Sequence, residues 1–94
     1  MFRHLDYIVQ RVGPRSVGIG LDYVEDITSL ADLLRQDPYA WPRSNGQWPA
    51  KCNYVTPEQV VELTHLMVEA GYDDEAVTGI LGENWARVTQ KIWK

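Results

Sequence analysis

The sequence predicts an incomplete α/β domain, mostly helical, with one strand over about residues 16–22. Two patterns carry that expectation. Apolar residues recur at helical spacing along most of the chain, and one short stretch alternates with strict period two. A single strand makes the domain incomplete, because its backbone donors and acceptors require neighbours.

The elements follow in order. Leu5, Ile8, Val9 and Val12 line one side of an amphipathic helix over about residues 2–12. Gly13 and Pro14 stop it, a glycine at the end followed by a residue that cannot continue. In residues 16–22, Val17, Ile19 and Leu21 point one way, while Gly18, Gly20 and Asp22 point the other. A solvated strand face would carry Thr, Lys or Glu. Glycines there mark close approach by another group. Residues 28–36 form a short helix with Leu30, Leu33 and Leu34 on one side and Asp26 or Thr28 as cap.

Residues 37–55 form a long irregular stretch holding Trp41-Pro42, Trp48-Pro49 and the turn signal Asn45-Gly46. Such a loop suits a lid, a pocket wall, a subunit contact or a self-packed surface. Thr56-Pro57-Glu58-Gln59 is a helix start, with Thr56 as cap, Pro57 in the first turn and Gln59 closing a capping box. That helix runs to about Ala70 and buries Val60, Val61, Leu63 and Met67, and Gly71 ends it. Asp73 caps a helix over about 74–81 with Val77, Ile80 and Leu81 apolar, and Gly82 ends it. Asn84 then caps a last helix carrying Trp85, Val88, Ile92 and Trp93, with Trp85 and Trp93 filling core.

Composition excludes several functions. The chain has 94 residues, 45% hydrophobic and 23% charged, which suits one small globular domain. Its net charge of −4 with scattered basic residues offers no stripe for nucleic acid. No run of 18 apolar residues spans a membrane, and no apolar segment near Met1 reads as a secretory signal. A cytoplasmic location is the default. The single cysteine, Cys52, excludes an internal disulfide and a thiolate zinc module, and as a lone thiol it is a weak nucleophile candidate.

His4-Leu5-Asp6 looks like a zinc pair, yet on a helix the two side chains stand about 200° apart around the axis and cannot share one ion. His65 stands alone on the helix after Pro57. Two separated histidines do not assemble a zinc site, so no metal ligand is assigned. Asp73, Asp74 and Glu75 are explained by the positive end of a helix dipole. Asp22, the carboxylate at the end of the strand, is the strongest functional candidate.

The run from His4 to Tyr23, a helix leading through glycine into Val17-Gly18-Ile19-Gly20-Leu21-Asp22-Tyr23, resembles a segment of the membrane dipeptidase (renal dipeptidase) family of zinc metallopeptidases. Gly82-Glu83-Asn84-Trp85-Ala86-Arg87-Val88 is similar to that family's terminal G-x-N-x-x-R-V element. The resemblance spans roughly residues 2–90, with 37–55 poorly matched. It implies the C-terminal fragment of a TIM-type (β/α)8 barrel, a fold that usually needs about 250 residues. Residues 1–94 would then be a single incomplete domain holding the last barrel strand and the C-terminal helices.

The same resemblance makes Asp22 the counterpart of a catalytic carboxylate and Tyr23 a substrate-side residue. It implies zinc-dependent dipeptide hydrolysis by the full-length enzyme, with no metal expected for this chain alone. The sequence departs from the family after Asp22, reading Tyr23-Val24-Glu25 where a second Asp and a Gly are usual, and it has Tyr7 in place of a histidine. The expected partner is a second copy of the chain or a complementary barrel chain. The alternative function is a non-catalytic, self-associating barrel remnant.

Overall fold

The computed structural model describes residues 1–37, 39 and 55–93. Their regular structure is entirely helical: α1 (Phe2–Val12), α2 (Ile27–Gln36), α3 (Gln59–Glu69), α4 (Asp74–Thr78) and α5 (Asn84–Ile92). A 3-10 turn, Pro14–Ser16, follows α1, and a π-helical turn, Gly79–Glu83, joins α4 to α5. The chain forms two compact units, Met1–Leu21 with Val55–Lys94, and Asp22–Tyr54.

The expected α/β barrel end is overturned, because residues 17–24 form no strand ladder. The alternation itself is real: Val17 is buried and Ile19 and Leu21 are half-buried, while Gly18, Gly20 and Asp22 are exposed. Alternation reports which side of an extended chain meets the core. A strand also needs a second backbone beside it, and here side chains of α5 take that place.

In the first unit, α1 buries Leu5 and Val9, α3 buries Leu63 and Met67, and Val77 and Ile80 complete the core with Val17. Met67 and Ile80 are wholly sealed, at 0% exposure. Half of the expected capping box is present: the Thr56 backbone N–H donates to Gln59 Oε1 at 3.0 Å, while α3 itself starts after Glu58 with no side-chain cap. At the other end of α3, Gly71 takes φ 87°. Gly71 N–H then bonds Val68 O at 3.0 Å and Tyr72 N–H bonds Met67 O at 3.1 Å. This is a Schellman ending, which takes up the last carbonyls of the helix. It delivers Tyr72 edge-on to the Phe2 ring, centroids 6.4 Å apart, and its hydroxyl donates to Asp6 Oδ1 at 2.9 Å. Val61, expected in the core, is exposed.

Asp73 caps α4 as expected, its carboxylate accepting from Ala76 N–H at 2.8 Å. The break expected at Gly82 is absent. Thr78, Gly79, Glu83 and Asn84 all keep right-handed helical angles, so the backbone passes from Asp74 to Ile92 without a stop. Asn84 is therefore no cap. One residue inserted into a helix as a π turn rotates everything after it about the axis, and such turns gather at functional sites.

In the second unit, Asp26 is the cap of α2, accepting from Thr28 N–H at 3.1 Å and Ser29 N–H at 3.0 Å. Ser29 Oγ also donates to it. These bonds hold its carboxyl below the usual carboxylate range, the Ser29 hydroxyl contributing most. Leu30 and Leu34 are half-buried and Leu33 is exposed, so α2 seals no core residue of its own. The expected features Trp41-Pro42, Asn45-Gly46, Trp48-Pro49 and Cys52 lie outside the described residues.

Candidate functional site

The site is built where the chain leaves α1. Gly13 takes φ 79°, a value that favours glycine, and its N–H closes α1 on Val9 O at 2.8 Å. Pro14 opens the 3-10 turn. Ser16 N–H reaches Gly13 O and Val17 N–H reaches Pro14 O, both at 3.3 Å. Val17 itself is extended.

Three side chains of α5 then hold this stretch by its carbonyls. Asn84 is buried, and its Nδ2 donates to Pro14 O and Val17 O, each at 2.8 Å. Arg87 donates to Arg15 O at 2.5 Å and to Asn84 Oδ1 at 3.3 Å. Trp85 Nε1 donates to Ile19 O at 3.1 Å. Positions 84, 85 and 87 thus grip carbonyls 14, 15, 17 and 19. A carboxamide with both donor hydrogens used and its oxygen taken by an arginine is close to fully satisfied, which is what its burial requires.

Two glycines make the grip possible. A Cβ on Gly18 would run into the Trp85 indole. A Cβ on Gly79 would come within 3.2 Å of the Asn84 amide. The expectation of close approach at the strand glycines is met at Gly18, where the group is Trp85, while nothing crowds Gly20. Trp85 and Trp93 do not fill core. They are 53% and 78% exposed, and Ile92 is 67% exposed.

Beside the clamp lies an open groove of about 510 Å³, lined by Pro14, Arg15, Asp73, Glu75, Glu83 and Arg87. An exposed Arg15–Glu75 ion pair, 3.6 Å, crosses it and contributes little in water. With both signs of charge on its walls, the groove has no electrostatic preference that would select a ligand.

The residues singled out from sequence fall elsewhere. Asp22 is exposed and takes φ 47°, the one non-glycine residue of positive φ among those described. Aspartate tolerates that conformation better than most side chains. Tyr23 follows it and is exposed. Both belong to the unit Asp22–Tyr54. His4 and His65 are exposed on different helices, and Asp6 is occupied by the Tyr72 hydroxyl. Among the described residues no three His, Cys, Asp or Glu side chains come together.

The clamp escaped sequence reading because Asn after Gly-Glu is the usual signature of a helix cap. The available signal was Arg87, three positions on, which on a continuing helix stands beside Asn84. No helix among the described residues is long and apolar enough to cross a membrane. No family model matches the chain, and neither does any curated protein or solved structure.

Proposed function

We propose that this chain is a partner-dependent element of a dipeptidase-type hydrolase, contributing the C-terminal part, and that it hydrolyses no dipeptide by itself. The observation that carries dependence on a partner is the inversion of α5. Its one buried side chain is Asn84, while Trp85, Val88, Ile92 and Trp93 are exposed. A contiguous apolar face of this kind marks an interaction surface, and tryptophans are favoured in such surfaces. The hydrolase class rests on the resemblance of His4–Tyr23 and Gly82–Val88 to the membrane dipeptidase family. In the assembled enzyme Asp22 is the catalytic carboxylate and Tyr23 its neighbour on the substrate side. Zinc belongs to ligands on the complementary chain, and the assembly is cytoplasmic.

The test mixes the purified chain with the zinc-ligand-bearing remainder of a dipeptidase-type enzyme and assays a dipeptide panel with zinc. Turnover is expected only in the mixture and is expected to be lost with Asp22→Asn. That substitution removes the charge and keeps a residue tolerant of φ 47°, so the loss reports chemistry. Zinc-dependent turnover by the chain alone, abolished by Asp22→Asn, overturns the proposal.

A second reading, a non-catalytic self-associating module, draws on the same α5 face, since a two-fold contact places one apolar patch against its copy. It expects a dimer mass by light scattering at tens of micromolar, returned to monomer by Ile92→Ser with Trp93→Ser. A monomer in that concentration range sinks this second reading and leaves the first standing.

A further inference from the structure

The proposed function draws on the Gly82–Val88 element only as a resemblance and gives its side chains no role. The geometry points to a role: we propose that Asn84, Trp85 and Arg87 are positioning residues, which set the path of residues 14–19 and so present the chain that reaches Asp22 three residues later. The relevance to Asp22 rests on the proposed hydrolase reading. The clamp itself does not.

The argument is one of backbone accounting. Residues 17–21 have no ladder to hold them, so their path depends on other partners. Among the described residues, their carbonyl partners beyond the turn are Asn84 Nδ2 on Val17 and Trp85 Nε1 on Ile19. Below them, Asn84 and Arg87 hold Pro14 and Arg15. All of these donors are side chains of one helix, and they address backbone only. The π turn Gly79–Glu83 keeps the helix unbroken up to Asn84, which lets a residue with the usual signature of a cap turn inward, and Gly79 leaves room for its carboxamide. The sealed core residues Leu63, Met67 and Ile80 lie on α3 and the π turn, and none of the four gripped carbonyls belongs to those elements. Val17 also belongs to the core and Ile19 packs against it, so loosening the grip is expected to disturb the segment more than the sealed residues of α3, as for regions of different local stability.

Asn84→Asp tests this. It keeps the side-chain volume and removes both donor hydrogens, so packing alone would leave the segment unmoved. In amide NMR spectra of the whole chain, Gly18, Gly20 and the Trp85 indole N–H are expected to shift toward unstructured positions. Leu63 and Met67 amides stay in place. Trypsin cleavage after Arg15 is expected to rise about tenfold, because proteolysis follows the population of the opened segment. Unmoved Gly18, Gly20 and indole signals in Asn84→Asp overturn the proposal.

Should Asn84→Asp lose the core as well, Trp85→Phe decides. It removes one donor from Ile19 O and keeps an aromatic ring on Gly18. Shifts confined to Ile19 and Gly20 support positioning, and no shift there overturns it. None of these readouts involves dipeptide turnover. A clamp that holds in a chain that never gains activity refutes the hydrolase reading alone.

Discussion

Helices α3 and α5 have similar length, yet they treat their apolar residues in opposite ways. α3 turns Leu63 and Met67 inward and closes both ends with its own side chain and backbone devices. α5 turns an asparagine inward, lays a half-exposed Trp85 on Gly18 and leaves Ile92 in water. The difference lies in what each helix faces. α3 meets the side chains of α1 and α4 and can bury hydrocarbon. α5 meets an extended backbone with unpaired carbonyls, and burying hydrocarbon against those would strand them at a cost of about 1–3 kcal/mol each. A polar donor at the contact is the arrangement that satisfies the neighbour, and the apolar face is then left for another molecule.

The largest effect that separates the two helices is expected in the sealed core. Met67→Ala or Ile80→Ala removes a side chain with no exposure and should cost about 2–5 kcal/mol, depending on how far the site collapses. Chemical denaturation monitored by far-ultraviolet circular dichroism measures it. An equal loss from Ile92→Ala, which is two-thirds exposed, would show that α5 is packed in solution and that the contrast is false.

A smaller effect is expected where α5 meets the extended segment. Gly18→Ala puts a methyl group into the Trp85 indole. Something must move, at a cost of about 1–3 kcal/mol, as for other overpacked contacts. Gly20→Ala meets nothing and serves as the matched control. Thermal melts of the two variants should differ by several degrees, with a red shift of Trp85 fluorescence in Gly18→Ala alone. Identical melts would mean that the indole does not rest on Gly18.

This pair also shows what was legible in the sequence. Glycines on one face of an alternating run announced a close neighbour, and Gly18 has one. The endings at Asp26, Gly71 and Asp73, and the Gln59 half of the box at Thr56, were equally legible, because each is a local device whose partners lie within a few residues. What could not be read was long-range. Whether Val17–Leu21 would pair with a strand or lean on side chains depends on residues 84, 85 and 87, more than sixty positions away. Whether Asn84 caps or latches depends on the π turn before it, and neither Gly79 nor Gly82 declares that. Trp85 and Trp93, expected in the core, are exposed, since apolar spacing along a helix never says what stands opposite. Nothing in the sequence declares the left-handed backbone of Asp22.

The smallest effect concerns the corner where the end of α3 meets α1, and it is silent at neutral pH. Burial, then the hydrogen bond to Asp6, then the charge of that carboxylate push the Tyr72 hydroxyl up to about 12. A raised value means that the folded state favours the protonated phenol. The contribution of the Tyr72–Asp6 bond is therefore fully present below the ordinary tyrosine value near 10 and is lost as pH rises through about 12. An absorbance titration at 295 nm should show a late step that vanishes in Tyr72→Phe and moves down in Asp6→Asn, where a neutral acceptor replaces the charge. Stability between pH 6 and 9 should be flat with respect to this pair. A late step that persists in Tyr72→Phe would detach Tyr72 from Asp6 and with it the tie that draws the Schellman turn onto α1. The closure of α3, on which its contrast with α5 depends, would then rest on Phe2 and the core side chains alone.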